Sequence, residues 1–108
     1  FFLEWDTGTE THRQLTTKIE RYVGLCENAL AALPGVLFVF PTPRRENNVR
    51  AVLRRVKNTR RLAVATTHMP AARTPNEAVW APLHSPMVQG RVRLVDAAAP
   101  DVGEGELF

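Results

Sequence analysis

The chain has few of the residues that usually staple a fold or mark a site. Its single cysteine, Cys26, excludes an internal disulfide and any zinc centre built on cysteines. Free cysteine behaves as a small hydrophobe, so Cys26 is expected on the buried face of a helix. No apolar run approaches the roughly 18 residues that a membrane-spanning helix needs, so no membrane partner is expected. His12, His68 and His84 share no metal-type spacing and read as surface or loop residues. Neither a phosphate-cradling glycine loop nor an internal repeat is found. The opening segment carries an acid where a secretory leader would be basic and then apolar, so a cytoplasmic setting is expected. Phe1 in place of Met predicts a piece of a longer protein. Lysine is the scarcest common cation: Lys18 and Lys57 stand against twelve arginines. A preference for Arg, Ala, Val and Pro over Lys, Ile and Asn fits a GC-rich genome.

What is present is enough for one folded unit. The 108 residues are 44% hydrophobic, with a net charge of +3 and a pI near 9.8. Such a mildly basic balance permits nucleic-acid contact by phosphate neutralisation. Phe1–Trp5 reads as a buried strand with Phe2, Glu4 and Asp6 on one face and Phe1, Leu3 and Trp5 on the other. Thr11 and Gln14 form a capping-box pattern. After them Leu15, Ile19, Tyr22, Val23, Cys26, Leu30 and Leu33 recur at helical spacing, and Pro34-Gly35 ends the helix. Val36–Phe40 is apolar throughout, as a strand covered on both faces should be. Thr42 and Pro43 are the N-cap and first residue of a second helix running to about Asn58, with Val49, Val52, Leu53 and Val56 as its core face. Leu62–Thr67 predicts a third strand.

This β-α-β-α-β order predicts an α/β three-layer sandwich around a central mixed sheet, with parallel strands among its first three. His68–Pro86 reads as loop, with a short apolar segment at Ala78–Ala81. Val88–Val95 predicts one more strand, weakened by Gly90. The domain is expected over residues 1–95, and residues 96–108 as a flexible tail.

Three groups of residues could carry chemistry. Glu4 and Asp6, two apart on a strand, point the same way and could share Mg²⁺, a hard cation that takes oxygen ligands. The plainer alternative is a pair of solvated acids. Lys18 flanks the inward face of the first helix, where an ammonium could orient a metal-bound water. On the helix alone the plainer reading is favoured: an ordinary salt bridge to Glu4 or Asp6, or snorkelling to solvent. Arg50, Arg54, Lys57 and Arg61 fall on one line along the second helix, with Arg44, Arg45, Arg55 and Arg60 around them and Glu46 as that helix's only acid. Arginine forks suit phosphate. With few aromatics available for stacking on bases, such a face would hold backbone rather than read sequence.

The strings FFLEWDTGTE, L..KIERY and VLFVFPTPRRE, followed by LAVATT and AVWAP, resemble the plasmid replication-relaxation family over roughly the first 83 residues. The resemblance implies a DNA-associated protein of plasmids or integrated mobile elements. The same segment resembles the second half of a restriction-endonuclease-like core, lacking its N-terminal strands. In that superfamily one strand carries an Asp and the next Glu-x-Lys. Glu4 matches the metal-binding acid, Asp6 stands where the lysine usually is, and Lys18 would be that lysine displaced onto the adjacent helix. The strand with the first Asp has no counterpart here.

Three functions follow. One is a DNA-binding domain that grips backbone through Arg44, Arg45, Arg50, Arg54, Lys57 and Arg61. Another is a Mg²⁺-dependent nuclease using Glu4, Asp6 and Lys18. A third is a protein-interaction domain whose open sheet edge pairs with a second copy as a homo-oligomer.

Overall fold

The structure is a computed structural model, and it describes residues 1–28, 35–85 and 90–97. The elements run β1 (Phe2–Trp5), α1 (His12–Asn28), β2 (Val36–Phe40), α2 (Pro43–Leu53), β3 (Val64–His68), β4 (Ala81–Pro82) and α3 (Leu94–Ala97). Short 3₁₀ turns lie at Thr59–Arg61 and Ala71–Arg73. The strands form one mixed sheet in the order β1-β2-β3-β4. β1, β2 and β3 are parallel, with Phe2 opposite Val36 and Val36 opposite Val64, and β4 is antiparallel to β3. The α/β class and parallel pairing among the first three strands are as the sequence predicts. No described helix is long and apolar enough to cross a membrane.

Local chemistry explains both helix starts. Gln14 N–H donates to Thr11 Oγ1 at 3.1 Å, and Thr11 N–H donates back to Gln14 Oε1 at 2.7 Å, a complete capping box. For α2, Arg45 N–H donates to Thr42 Oγ1 at 3.1 Å, and Pro43 takes a first-turn position where its missing N–H costs nothing.

α2 stops at Leu53, five residues short of the expected Asn58. Arg55 N–H and Val56 N–H reach back only three residues, to Val52 and Leu53, and Asn58 then adopts a left-handed conformation at φ 67°. Tightening to this 3₁₀ pattern is a common helix ending, and asparagine tolerates the left-handed region. Val49 and Leu53 are buried as expected, while Val52 and Val56 are half-buried.

Both long helices cover one face of the sheet. Leu15, Ile19 and Val23 of α1 and Val49 and Leu53 of α2 pack with Val36, Phe38, Phe40 and Val64, and Tyr22 and Cys26 close the edge. The expected core positions Leu30 and Leu33 lie outside the described residues. Loop chain, the Ala71–Arg73 turn and the short α3 cover the opposite face: Leu37, Val39 and Ala65 meet Trp80 and Ala97, with Met69, Ala72, Val92 and Leu94 around them. Among the described residues this cover ends before β1, so the strand expected to be buried is largely exposed, as an edge strand with no second neighbour in the sheet. Phe1, Leu3 and Trp5, on the face away from the helices, are 65%, 54% and 54% exposed. They border an apolar cavity of about 330 Å³ that also touches Leu37, Val39 and Trp80.

The strand expected over Val88–Val95 does not form in its described part. Val92 makes one bridge to Trp80, and Leu94–Ala97 is helical. Gly90, at φ 81°, turns the backbone where only glycine is comfortable, and Arg91 then enters the interior. The fourth strand is instead Ala81–Pro82, inside the stretch read as loop. Of the expected tail, Ala97 is buried and residues 98–108 lie outside the described residues.

Candidate functional site

The pleat of β1 sends Phe2 and Glu4 toward α1. The Phe2 and Tyr22 rings lie 5.3 Å apart. Glu4 accepts from the Tyr22 hydroxyl at 2.6 Å and from Lys18 Nζ at 3.4 Å. Lys18 makes its shorter pair, 2.8 Å, with Glu10. The Glu10 hydrogen bond, ahead of the charge of Glu4, raises the Lys18 pKa against a smaller opposing effect of burial. Burial first, and the Glu4 carboxylate second, push the Tyr22 hydroxyl up to about 12. Lys18 therefore sits in a salt bridge, as the plainer reading had it, but Glu10 is its second partner rather than Asp6.

Asp6 lies just past the end of β1 and is 2% exposed. Arg45 holds it with Nε to Oδ2 at 2.7 Å and Nη2 to Oδ1 at 3.3 Å, and Gly8 N–H donates to Oδ1 at 3.1 Å. Arg45 also donates to the Glu10 carbonyl, so it links the β1–α1 turn to the start of α2. Glu4 and Asp6 thus have separate cations, supplied by different helices. A Mg²⁺ ion shared by the two would have to displace Lys18, Tyr22 and Arg45. As arranged, the pair does not fit a divalent cation, and among the described residues no group of three or more His, Cys, Asp or Glu is placed to hold one.

The basic line along α2 divides into an inside and an outside. Arg50 is 1% exposed. Its Nη1 donates to Thr66 Oγ1 and the Ala81 carbonyl, both at 2.8 Å, and its Nη2 donates to the Pro82, Leu83 and Ser85 carbonyls at 3.0–3.3 Å. Its Nε is buried without a partner. Burial lowers the Arg50 pKa to about 10, with the Arg54 charge adding to the effect, and the group stays charged at neutral pH. Arg50 is thus a bolt between α2 and the chain around β4. Lodged there, it does not share the exposed line drawn for it from helical spacing.

A buried network that sequence reasoning missed adjoins Arg50. Glu46 is fully buried and accepts from Thr66 Oγ1 at 2.6 Å, His68 Nδ1 at 2.8 Å, and Arg91 Nη2 and Nη1 at 2.6 and 2.9 Å. Burial alone would push its pKa up. The bonds from Arg91, Thr66 and His68 outweigh that and hold it below the usual carboxylate value. His68, expected in a loop, is the last residue of β3 and part of this network. The available signal was Glu46 itself, the lone acid on a basic helix and four residues before Arg50.

The rest of the basic line is exposed. Arg54, Arg55, Lys57, Arg60 and Arg61 all face solvent, and among the described residues none is paired with a carboxylate. Arg54 is oriented by its Nε–H, which donates to the Leu83 carbonyl at 2.7 Å. Arg54, Arg60 and Arg61, with Asn58, Thr59 and His84, line a polar cavity of about 230 Å³. Arg55 and Lys57 border a separate cleft between α1 and α2. Arg44 is exposed on the first turn of α2. Comparison with protein-family models, with curated proteins and with solved structures found no match for this chain.

Proposed function

We propose that this chain is a DNA-associated domain of a plasmid or mobile-element replication-relaxation protein, and that it grips the DNA backbone. The grip is centred on Arg54, Arg55, Lys57, Arg60 and Arg61, with Arg44 as an outlying contact. One observation carries this reading: five exposed cations fall within eight residues, and among the described residues none of them forms a salt bridge, although Glu20 and Glu27 line the cleft that Arg55 and Lys57 border. Such a patch attracts phosphate and releases counterions when it binds. Arg45 and Arg50 contribute by holding the patch in place. The strings at Phe1–Glu10, Leu15–Tyr22 and Val36–Glu46 support the family, and the parallel β1-β2-β3 run supports a restriction-endonuclease-like α/β core, although both long helices cover the same face of the sheet.

The nuclease reading is the weaker one, because Glu4, Asp6 and Lys18 are engaged with protein partners. A protein-interaction role has an observation of its own, the exposed apolar side chains on the edge strand β1.

Fluorescence anisotropy with duplex DNA across a salt series tests the proposal. We expect binding at about 50 mM salt that weakens steeply as salt rises. Arg55→Ala with Lys57→Ala should flatten the log–log slope by about 2, roughly one unit for each lost phosphate contact. No binding at low salt would sink the DNA reading.

A further inference from the structure

The polar cavity beside the end of α2 has its own chemistry. Three of its lining residues are arginines, and among the described residues no acid lines it. Glu27, outside the lining, accepts from Asn58 Nδ2 at 2.8 Å. With Nε committed to the Leu83 carbonyl, Arg54 has both Nη groups left to donate. The Thr59 hydroxyl lies 3.2 Å from the Val56 carbonyl and shares a 2.8 Å hydrogen bond with His84 Nε2. These bonds stiffen one wall. Three guanidinium forks around one recess repel each other unless an anion enters.

We infer that this recess binds a terminal phosphate monoester of DNA. An internal phosphodiester carries one charge, offers two free oxygens and is flanked by its neighbours along the strand. A terminal monoester carries about −1.5 to −2 and three strong acceptor oxygens. It matches three guanidinium groups more closely in charge and in acceptors, and as a chain end it can enter a recess. The inference takes only the source of its ligand from the DNA reading. Its chemistry, a phosphate monoester on Arg54, Arg60 and Arg61, comes from the cavity.

The test compares the affinity of the protein for one duplex with four kinds of end: 5′-phosphate, 3′-phosphate, hydroxyl, and hairpin-closed. We expect a phosphorylated end to bind about ten-fold tighter than the hydroxyl and closed forms, corresponding to about 1.4 kcal/mol. A gain from one phosphate position or from both supports the site and identifies which end it takes. Arg60→Ala with Arg61→Ala should erase the gain, and Arg60→Lys with Arg61→Lys should keep general affinity but lose most of it, because an ammonium lacks the fork. Arg55→Ala with Lys57→Ala should weaken all four forms alike. Equal affinity for phosphorylated and hydroxyl ends would overturn the inference while leaving the DNA reading intact. A gain that survives in the Arg60/Arg61 alanine variant would overturn it too. If no duplex binds, inorganic phosphate is the probe. A rise in melting temperature in the wild type but not in that variant would keep the phosphate site and discard DNA as its source, and no rise would overturn the site.

Discussion

Two carboxylate clusters flank the helix-covered face of this sheet, and they differ in depth. Near β1, Glu4 and Glu10 share Lys18, all three partly open to water. Near β3, Glu46 is sealed between Arg91, His68 and Thr66, with Arg50 one hydroxyl away. A partly hydrated ion pair loses little when broken, because water replaces the lost partner. A buried carboxylate has no such replacement. The two clusters use the same chemistry, but the first is expected to be dispensable to the fold and the second is not.

The largest effect expected from this contrast is at Glu46. Glu46→Ala leaves Arg91 and Arg50 without a buried countercharge and should cost about 3–5 kcal/mol in urea unfolding. A loss under about 1 kcal/mol would mean that water reaches the network. Acid should expose the same group. Its folded pKa is lowered, so its contribution is present above the unfolded value of 4.5 and is lost as pH falls through the lower folded value. The melting temperature of the wild type should therefore drop below pH 4.5 more steeply than that of Glu46→Gln.

Tyr22 is the middle case. Tyr22→Phe removes the hydroxyl bonded to Glu4 and should cost about 1 kcal/mol. Because the folded Tyr22 pKa is raised from 10.0 to about 12, its contribution is complete below pH 10 and is lost as pH climbs toward 12. The phenylalanine variant should lack that alkaline loss, and an identical pH profile for the two proteins would remove Tyr22 from the account. The smallest effect belongs to Lys18. Lys18→Met should change stability by less than about 1 kcal/mol. A loss near that of Glu46→Ala would erase the contrast between the clusters.

Elements governed by neighbours in sequence were legible. The capping box of Thr11 and Gln14, the Thr42–Pro43 helix start and the apolar run of β2 each depend on residues a few positions apart. The end of α2 was less legible. Its basic run continues at helical spacing past Leu53, and only the left-handed turn at Asn58 shows where the helix stops. The candidate phosphate surface was half legible: Arg54, Lys57 and Arg61 are on it, but Arg50, on the same helical line, is not.

The amino-acid order alone determined β1, α1, β2, α2 and β3 and which residues carry charge, because periodicity and capping act over a few residues, whereas β4 and α3 were decided by tertiary packing. Tertiary structure alone decided which charges are inside. Arg50 is buried because the carbonyls of Ala81, Pro82, Leu83 and Ser85 converge on it, and Glu46 because Arg91 arrives from 45 residues away. A charge leaves water only where distant groups replace its hydration, and that condition is met only once the chain has folded.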